Sequence, residues 1–553
     1  MTHLAATPFA CPPRESGEEN TFEGARLFQL NYAMHAEARQ KLLKRFTAGG
    51  AVPAGSVLLF QGGATETRHE TDHEKLFRQE SSFNYLFGVK EPDCYGCIEV
   101  DNGRTTLFVP RLPKEYEIWM GKIKSTDWFL KEYGVDEVLY VDELKATMTA
   151  RAKQLYTSRG VNTDSGNYAT PATFDGIEAF PNDTTKLYYD IVECRVIKSA
   201  EELRLLRYIN DIASDAHLEV MKRCRPGMQE FQLESIFKHY CYYEGGCRMD
   251  AYTAICGGGI NSATLHYGHA GAPNDRQLQT GDMCLLDMGT EYHCYVSDIT
   301  CSFPANGTFT DDQAAVFNCV LDCQEQVMEA MRPGVPWIDM HALTYKVIAK
   351  HLLSIGICRA EYDVETLVAA GLPNFFMPHG LGHYMGLDTH DVGGIPKDQV
   401  DSRPKELGYK SLRCLRVLEA GMVITVEPGM YFIDMLMDRL VTEADLTKYV
   451  NVEVLERFRN FGGIRLEDDV IITDEGIENM TNCPRTVSDV KAVMNGTIKH
   501  RSQLQKMFYR VGDEGVVVEI EEDDADFQEG LREGRAYEVM LAEEGIVDGV
   551  LLE

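Results

Sequence analysis

Pro378–Gly394 reads PHGLGHYMGLDTHDVGG and gathers three histidines, two aspartates and five glycines. His379 and His383 have the H-x-x-x-H spacing that puts two imidazoles on one face of a helix, as in zinc sites. Pro378, Gly380 and Gly382 disfavour that helix. The stretch reads better as a glycine-rich loop at the edge of a cavity. Taken alone, it could supply a metal ligand or be a polar turn whose histidines are satisfied locally.

Four carboxylates add to it. Asp287 and Asp298 lie in LLDMGTEYHCYVSDITCSF, which reads as a buried β-rich pair of runs. A carboxylate there is costly unless it is paired, hydrogen-bonded or bound to a cation. Asp298 alone would also fit a turn cap. Glu427 follows an apolar strand in GMVITVEPGMYF, and Glu467 sits among Ile464, Leu466 and Val470 in FGGIRLEDDVIITDEG. Either glutamate, taken singly, fits an edge strand with one exposed face. Two aspartates, two glutamates and one histidine form a carboxylate-dominated set suited to Mn²⁺, Mg²⁺ or a pair of divalent ions. Two metals held by shared carboxylates generate hydroxide near neutral pH and clamp a tetrahedral intermediate. Spacing carries the reading to a dinuclear centre and does not prove that the five residues converge.

The elements that must position these residues form an α+β chain. ARLFQLNYAMHAEARQKLLKRF has a helical pattern, AGSVLLFQGG reads as a buried strand, and GCIEVDNGRTTLFVP reads as a hairpin around Asp-Asn-Gly. These predict an N-terminal α/β domain over 1–197. Ser199 and Glu202 make a capping box. Leu203, Leu206, Ile209, Ala213, Ala216 and Val220 then recur at helical spacing. A second domain, mixing long helices with glycine-punctuated strands, is expected over 198–495. An acidic extension follows over 496–553.

The chain has 553 residues, 44% hydrophobic and 25% charged, with a net charge of −32. So acidic a surface argues against nucleic acid and anionic lipid as partners. No secretory signal and no membrane-spanning apolar run is read in the sequence. The 16 cysteines show no short framework, which fits reduced thiols and a cytoplasmic protein. The lone C-x-x-C of Cys94 and Cys97 lacks the partners that a redox or zinc role needs.

DMG, SDIT, HGLGH, TVEPG and GGIRLEDD, in that order, resemble the five-ligand pattern of the pita-bread metallopeptidases, the family of methionine aminopeptidase, aminopeptidase P and prolidase. FRQESSFNYLFGVKEPDCYG, WMGKI, RGVNTDSG, LHYGHAGAPNDR and SDITCSFPANG narrow the likeness to the eukaryotic prolidases, which are Xaa-Pro dipeptidases. It runs from about residue 28 to about residue 490.

The resemblance implies a smaller N-terminal creatinase/prolidase-like domain and a C-terminal pita-bread catalytic domain. It implies that Asp287 binds one metal, that His383 and Glu427 bind the other, and that Asp298 and Glu467 bridge both. It implies two Mn²⁺ ions, a bridging hydroxide that attacks the scissile carbonyl, and Glu427 as proton shuttle. His266 and His390 are expected to contact substrate and stabilise the tetrahedral intermediate. Arg413 is expected to bind the substrate's free carboxylate. Asp298, His379, Tyr252 and Arg465 are expected to line the substrate site. A homodimer is implied, with the Trp119 loop reaching the partner's active site.

The expected activity is hydrolysis of Xaa-Pro dipeptides. An aminopeptidase P acting on longer peptides is the alternative. A non-catalytic pita-bread binding protein is another, but such proteins are expected to lose the ligands this chain keeps. A dedicated enzyme suits the bond, because proline lacks an N–H and has a fixed φ that general peptidases handle poorly.

Overall fold

The structure is a computed structural model and describes residues 27–504. The acidic run VVVEIEEDDADFQEGLREG lies outside the described residues, as does most of the extension expected at 496–553. The described start of that extension docks on the second domain, where Arg501 pairs with Asp211 at 2.5 Å and Asp215 at 3.0 Å.

The N-terminal part is built on one six-stranded mixed sheet. Its strands are β1 (Ser56–Gln61), β2 (Tyr95–Glu99), β3 (Thr105–Val109), β4 (Glu137–Tyr140), β5 (Gln154–Tyr156) and β6 (Asn182–Asp183), in the order β4-β3-β2-β1-β5-β6. Strand β1 explains its own sequence. Leu58 and Phe60 pack on one face with Phe46, Phe83 and Phe87, while Val57 and Leu59 pack on the other with Phe108, Met148 and Leu155. A strand covered on both faces reads as a continuous apolar run rather than an alternating one. The expected hairpin is β2–β3, in antiparallel register with Cys97 opposite Thr106. Its turn is closed by Gly103 N–H donating to Glu99 O at 2.8 Å, with Gly103 at φ +75°. The first helix starts later than its apolar pattern suggests, at Ala33–Ala48. Asn31 Oδ1 accepts from Ala33 N–H at 3.1 Å, and the described residues before it, 27–30, are not helical.

The capping box opens the helix Ala200–Arg223, with Ser199 N–H donating to Glu202 Oε2 at 2.8 Å and Glu202 N–H to Ser199 Oγ at 3.3 Å. The helix joins the two halves of the molecule. Leu205, Leu206 and Ile209 belong to the core that includes the N-terminal sheet, and Ala213, Ala216 and Val220 to the larger C-terminal core.

In the C-terminal domain that helix packs against Glu230–Gly245, and Asp311–Ala330 packs against Trp337–Ile355. Between them lie short antiparallel sheets. Met283–Asp287 pairs with Ile255–Gly258 and Thr300–Pro304, Val423–Val426 pairs with Asp468–Ile472, and Gly429–Tyr431 pairs with Gly463–Arg465. A bridge between Thr300 and Glu467 stitches the first of these sheets to the strands carrying the last carboxylate.

Candidate metal centre

Antiparallel register brings the acids together. Asp287 ends its strand directly opposite Thr300, so Asp298, two residues earlier, turns back beside it. Glu467 joins through backbone pairing, its N–H donating to Thr300 O at 3.1 Å, while Thr300 Oγ1 donates to Glu467 Oε2 at 2.6 Å. Glu427 closes the group from the end of Val423–Val426.

The glycine-rich stretch is not helical and runs beside that strand. Thr425 N–H donates to His383 O and Glu427 N–H to Leu381 O, each at 2.9 Å. This approach requires glycine at 382, because a Cβ there would sit 2.0 Å from Thr425 O. His383 Nδ1–H donates to Tyr384 O at 3.0 Å. That leaves Nε2 facing Asp298 Oδ2 at 3.3 Å and Glu427 Oε1 at 3.5 Å. Fixing one imidazole nitrogen on a carbonyl so that the other is free for a ligand is the usual outer support of a metal-binding histidine. Ligand atoms of Asp298, His383 and Glu467 all lie within 4.8 Å of one another.

The electrostatics call for cations. Burial raises the Asp287 carboxyl to about 6; Arg465 opposes this and Asp298 adds to it. Burial raises Glu427 to about 7 against the pull of His383 and Arg465. Burial and then the charges of Asp298, Glu427 and Asp287 push Glu467 well up. Burial alone would lower His383, but its hydrogen bond to Asp298 and the charges of Glu427 and Asp298 carry it to about 9. Without a cation, Asp287, Glu427 and Glu467 are therefore all pushed toward their protonated forms. Tyr252 shows the same shortage of positive charge. Its single O–H faces both Asp287 Oδ1 and Asp298 Oδ1, and it can donate to only one at a time. A set of oxygens with one imidazole fits hard divalent ions.

This has a pH consequence. Asp287 and Glu427 have folded values above their ordinary ones, so the metal-free folded chain binds more protons than the unfolded chain. The stability they contribute is fully present below about pH 4 and is lost as pH rises through about 6 and about 7. Divalent ions favour the ionised carboxylates and remove that loss. The difference in Tm between metal-loaded and metal-stripped protein is expected to widen steadily from about pH 5 to about pH 8. Differential scanning fluorimetry at both loadings checks this, and a gap independent of pH would contradict it.

The remaining expected residues surround this group. Arg465 is buried, and its donors go to Asp287 Oδ2, to Thr300 Oγ1 at 3.1 Å and to Tyr431 OH at 2.9 Å. Tyr431 O–H in turn meets His379 Nε2 at 3.0 Å, while His379 Nδ1–H donates to Gly380 O at 2.8 Å. Burial and then Arg465 hold His379 neutral, near a pKa of about 3. His390 stands edge-on to His383 with ring centres 4.5 Å apart. Burial and then the charges of His383, Arg413 and His266 lower it to about 2. Burial, then Arg465 and Arg413, lower His266. Arg413 is thus felt by both histidines.

Sequence reasoning missed the supports. Thr300, Thr425 and Tyr431 orient the carboxylates and histidines. A partly buried ion cluster also fixes the loop that carries His390. Asp388 accepts from Ser81 Oγ and Arg195 Nη2, each at 2.7 Å. Asp391 accepts from Arg195 at 2.5 Å and from Lys198 at 3.2 Å, and Arg78 Nη2 donates to Leu387 O at 2.6 Å. The signal was present in DTHD: two acids flanking a histidine, without a nearby base, need cations from elsewhere in the chain.

Comparison with known proteins accords with this geometry. The description Metallopeptidase family M24 matches residues 204–474, and Aminopeptidase P, N-terminal domain, matches residues 35–157. The chain is 53% identical to the Xaa-Pro dipeptidase of Homo sapiens over 86% of this chain and 96% of that protein. It is 34% identical to a probable Xaa-Pro aminopeptidase of Talaromyces stipitatus over 84% and 97%. Among solved structures it is similar to zinc-substituted Escherichia coli aminopeptidase P in complex with product, with TM-score 0.69 and 28% identity over 86% of this chain and 100% of that one. The α+β architecture is accordingly an aminopeptidase-P-type N-terminal domain followed by a pita-bread domain. With its carboxylate-rich centre suited to divalent metal ions, the chain belongs to metallopeptidase family M24.

Proposed function

We propose that the chain is a metal-dependent dipeptidase that hydrolyses Xaa-Pro dipeptides at the bond preceding a C-terminal proline. The observation that carries this is its 53% identity along 96% of the human Xaa-Pro dipeptidase, against 34% for the aminopeptidase relative. Asp287 would hold one divalent ion, His383 and Glu427 a second, and Asp298 and Glu467 both. We take Mn²⁺ as the ion, as the prolidase resemblance implies; oxygen donors with one imidazole fit it among the divalent ions. When bound, such a pair supplies Lewis acidity and a nucleophile derived from water near neutral pH.

The chain's own residues do the rest. Thr300, Tyr252 and Arg465 hold the carboxylates in place by hydrogen bonds. Glu427, whose Oε1 lies 3.5 Å from His383 Nε2, would serve as the proton shuttle beside the metal ions. His390 and His266, kept neutral, can hydrogen-bond the scissile carbonyl and the charge that develops on it. Arg413 offers a planar fork to the free carboxylate of the proline residue. His379 and Tyr431 form a hydrogen-bonded wall beside the metal-facing groups.

The chain is expected to cleave Gly-Pro and leave Gly-Pro-Gly intact, by chromatography of the products. Cleavage of the tripeptide would move the reading to an aminopeptidase. We also propose a cytoplasmic homodimer. In support, the 15 described cysteines are all unpaired, and Ile118, Trp119 and Met120 are exposed by 76%, 82% and 69% on the short helix Glu117–Met120, which a second copy could cover. Sedimentation at the mass of a single chain would contradict the dimer.

A further inference from the structure

Arg413 is not free in this structure. Its Nη1 lies 3.3 Å from Oδ1 of Asp164, a residue of the N-terminal part. Among the described residues the guanidinium makes no hydrogen bond to another acceptor. Asp164 is presented by a tight hairpin. Asn162 N–H donates to Asn167 O and Gly166 N–H to Asn162 O, each at 2.9 Å, and Gly166 stands at φ +72°. Asn162 Oδ1 accepts from Asp164 N–H at 2.9 Å and from Ser165 N–H at 3.1 Å. The Asp164 side chain is only 12% exposed, and its Oδ1 is buried with no hydrogen-bond partner. A carboxylate oxygen in that position depends on the neighbouring cation for its compensation.

We propose that Asp164 is an affinity-setting residue of the substrate site, a built-in counter-ion that competes with the substrate's and product's carboxylate for Arg413. This rests on the reading of Arg413 as the carboxylate clamp. An unopposed guanidinium would grip the carboxylate of free proline as strongly as that of the dipeptide, because the group is the same in both. Asp164 places a like charge against that carboxylate, so occupancy of the clamp always meets an opposing term. The residue thereby favours release of the product. It also ties the clamp's strength to a hairpin of the other domain, which sequence distance alone would not connect to the catalytic centre.

The test uses metal-loaded full-length enzyme and competitive inhibition of Gly-Pro hydrolysis by L-proline and by L-prolinamide, which lacks the carboxylate. Asp164→Asn should lower Ki for proline about tenfold, the size expected for removing one like charge a few ångströms away in partly screened surroundings. KM for Gly-Pro should fall in the same direction, and Ki for prolinamide should stay unchanged. Asp164→Glu should restore a Ki near that of wild type. A proline Ki that is unchanged or higher in Asp164→Asn, in protein with wild-type metal content and Tm, would overturn the proposal. Arg413→Met separates the two readings. If it leaves proline inhibition unaltered, the clamp reading falls and this inference with it. If it weakens proline while Asp164→Asn does nothing, only this inference falls.

Discussion

Asp298→Asn should lower kcat/KM for Gly-Pro by at least about a thousandfold while leaving the fold intact. Hydrogen-bonded partners outside a metal's direct ligands already cost about 10–100-fold when removed, so loss of Asp298, proposed above as a shared ligand, sets a larger floor. Asp298 faces His383 Nε2 at 3.3 Å through one oxygen and Tyr252 O–H at 2.5 Å through the other. Asparagine keeps the shape but gives up the charge, and it turns an amide N–H toward a group that must coordinate. The backbone is not at stake. Asp298 N–H still donates to Asp469 Oδ2 at 2.9 Å, and the pairing of Asp287 with Thr300 does not involve the side chain. Elemental analysis should find less than the wild-type metal content, with Tm of the stripped protein equal to or above that of stripped wild type. The last point follows from charge, because the substitution relieves repulsion among acids already driven upward in pKa. A variant that retains full activity would remove Asp298 from the centre.

Arg413→Met should act at a different step. Truncating one partner of a desolvated, hydrogen-bonded charge pair costs about 2–4 kcal/mol, or about 30- to 1,000-fold in kcat/KM. Most of it should appear in KM, since the proposed clamp would hold the substrate's carboxylate in ground and transition states alike. Metal content should not change. Arg413→Lys should recover only part of the loss, because an ammonium cannot present the two parallel N–H donors of a guanidinium. Unchanged KM for Gly-Pro in Arg413→Met would show that the dipeptide is anchored elsewhere.

Local features were legible in the chain, and the long-range register was not. Strand β1 could be read because its burial on both faces is written as SVLLF, and the helix at Ala200 because Ser199 and Glu202 cap each other. The start of the first helix could not, since the apolar pattern continues upstream of Asn31 while the backbone does not. At the site, the acids stood out as charges in apolar strands. Their convergence depends on Asp287 meeting Thr300 and on Thr300 meeting Glu467, pairings that no local pattern specifies. The same holds for Arg78, Ser81 and Arg195, which reach the His390 loop from far along the chain. The glycine reading of HGLGH was local and is explained by contact, since Gly382 passes against Thr425 O too closely for any side chain.

The most direct test is reconstitution. Protein stripped by chelation is titrated with Mn²⁺ while bound metal per chain and Gly-Pro hydrolysis are followed together. Hydrolysis should be absent from the stripped protein, should return as metal binds, and should reach its plateau at two ions per chain, with no cleavage of Gly-Pro-Gly. Hydrolysis that survives stripping, or a folded protein carrying two ions per chain that leaves Gly-Pro uncleaved, would contradict the assignment.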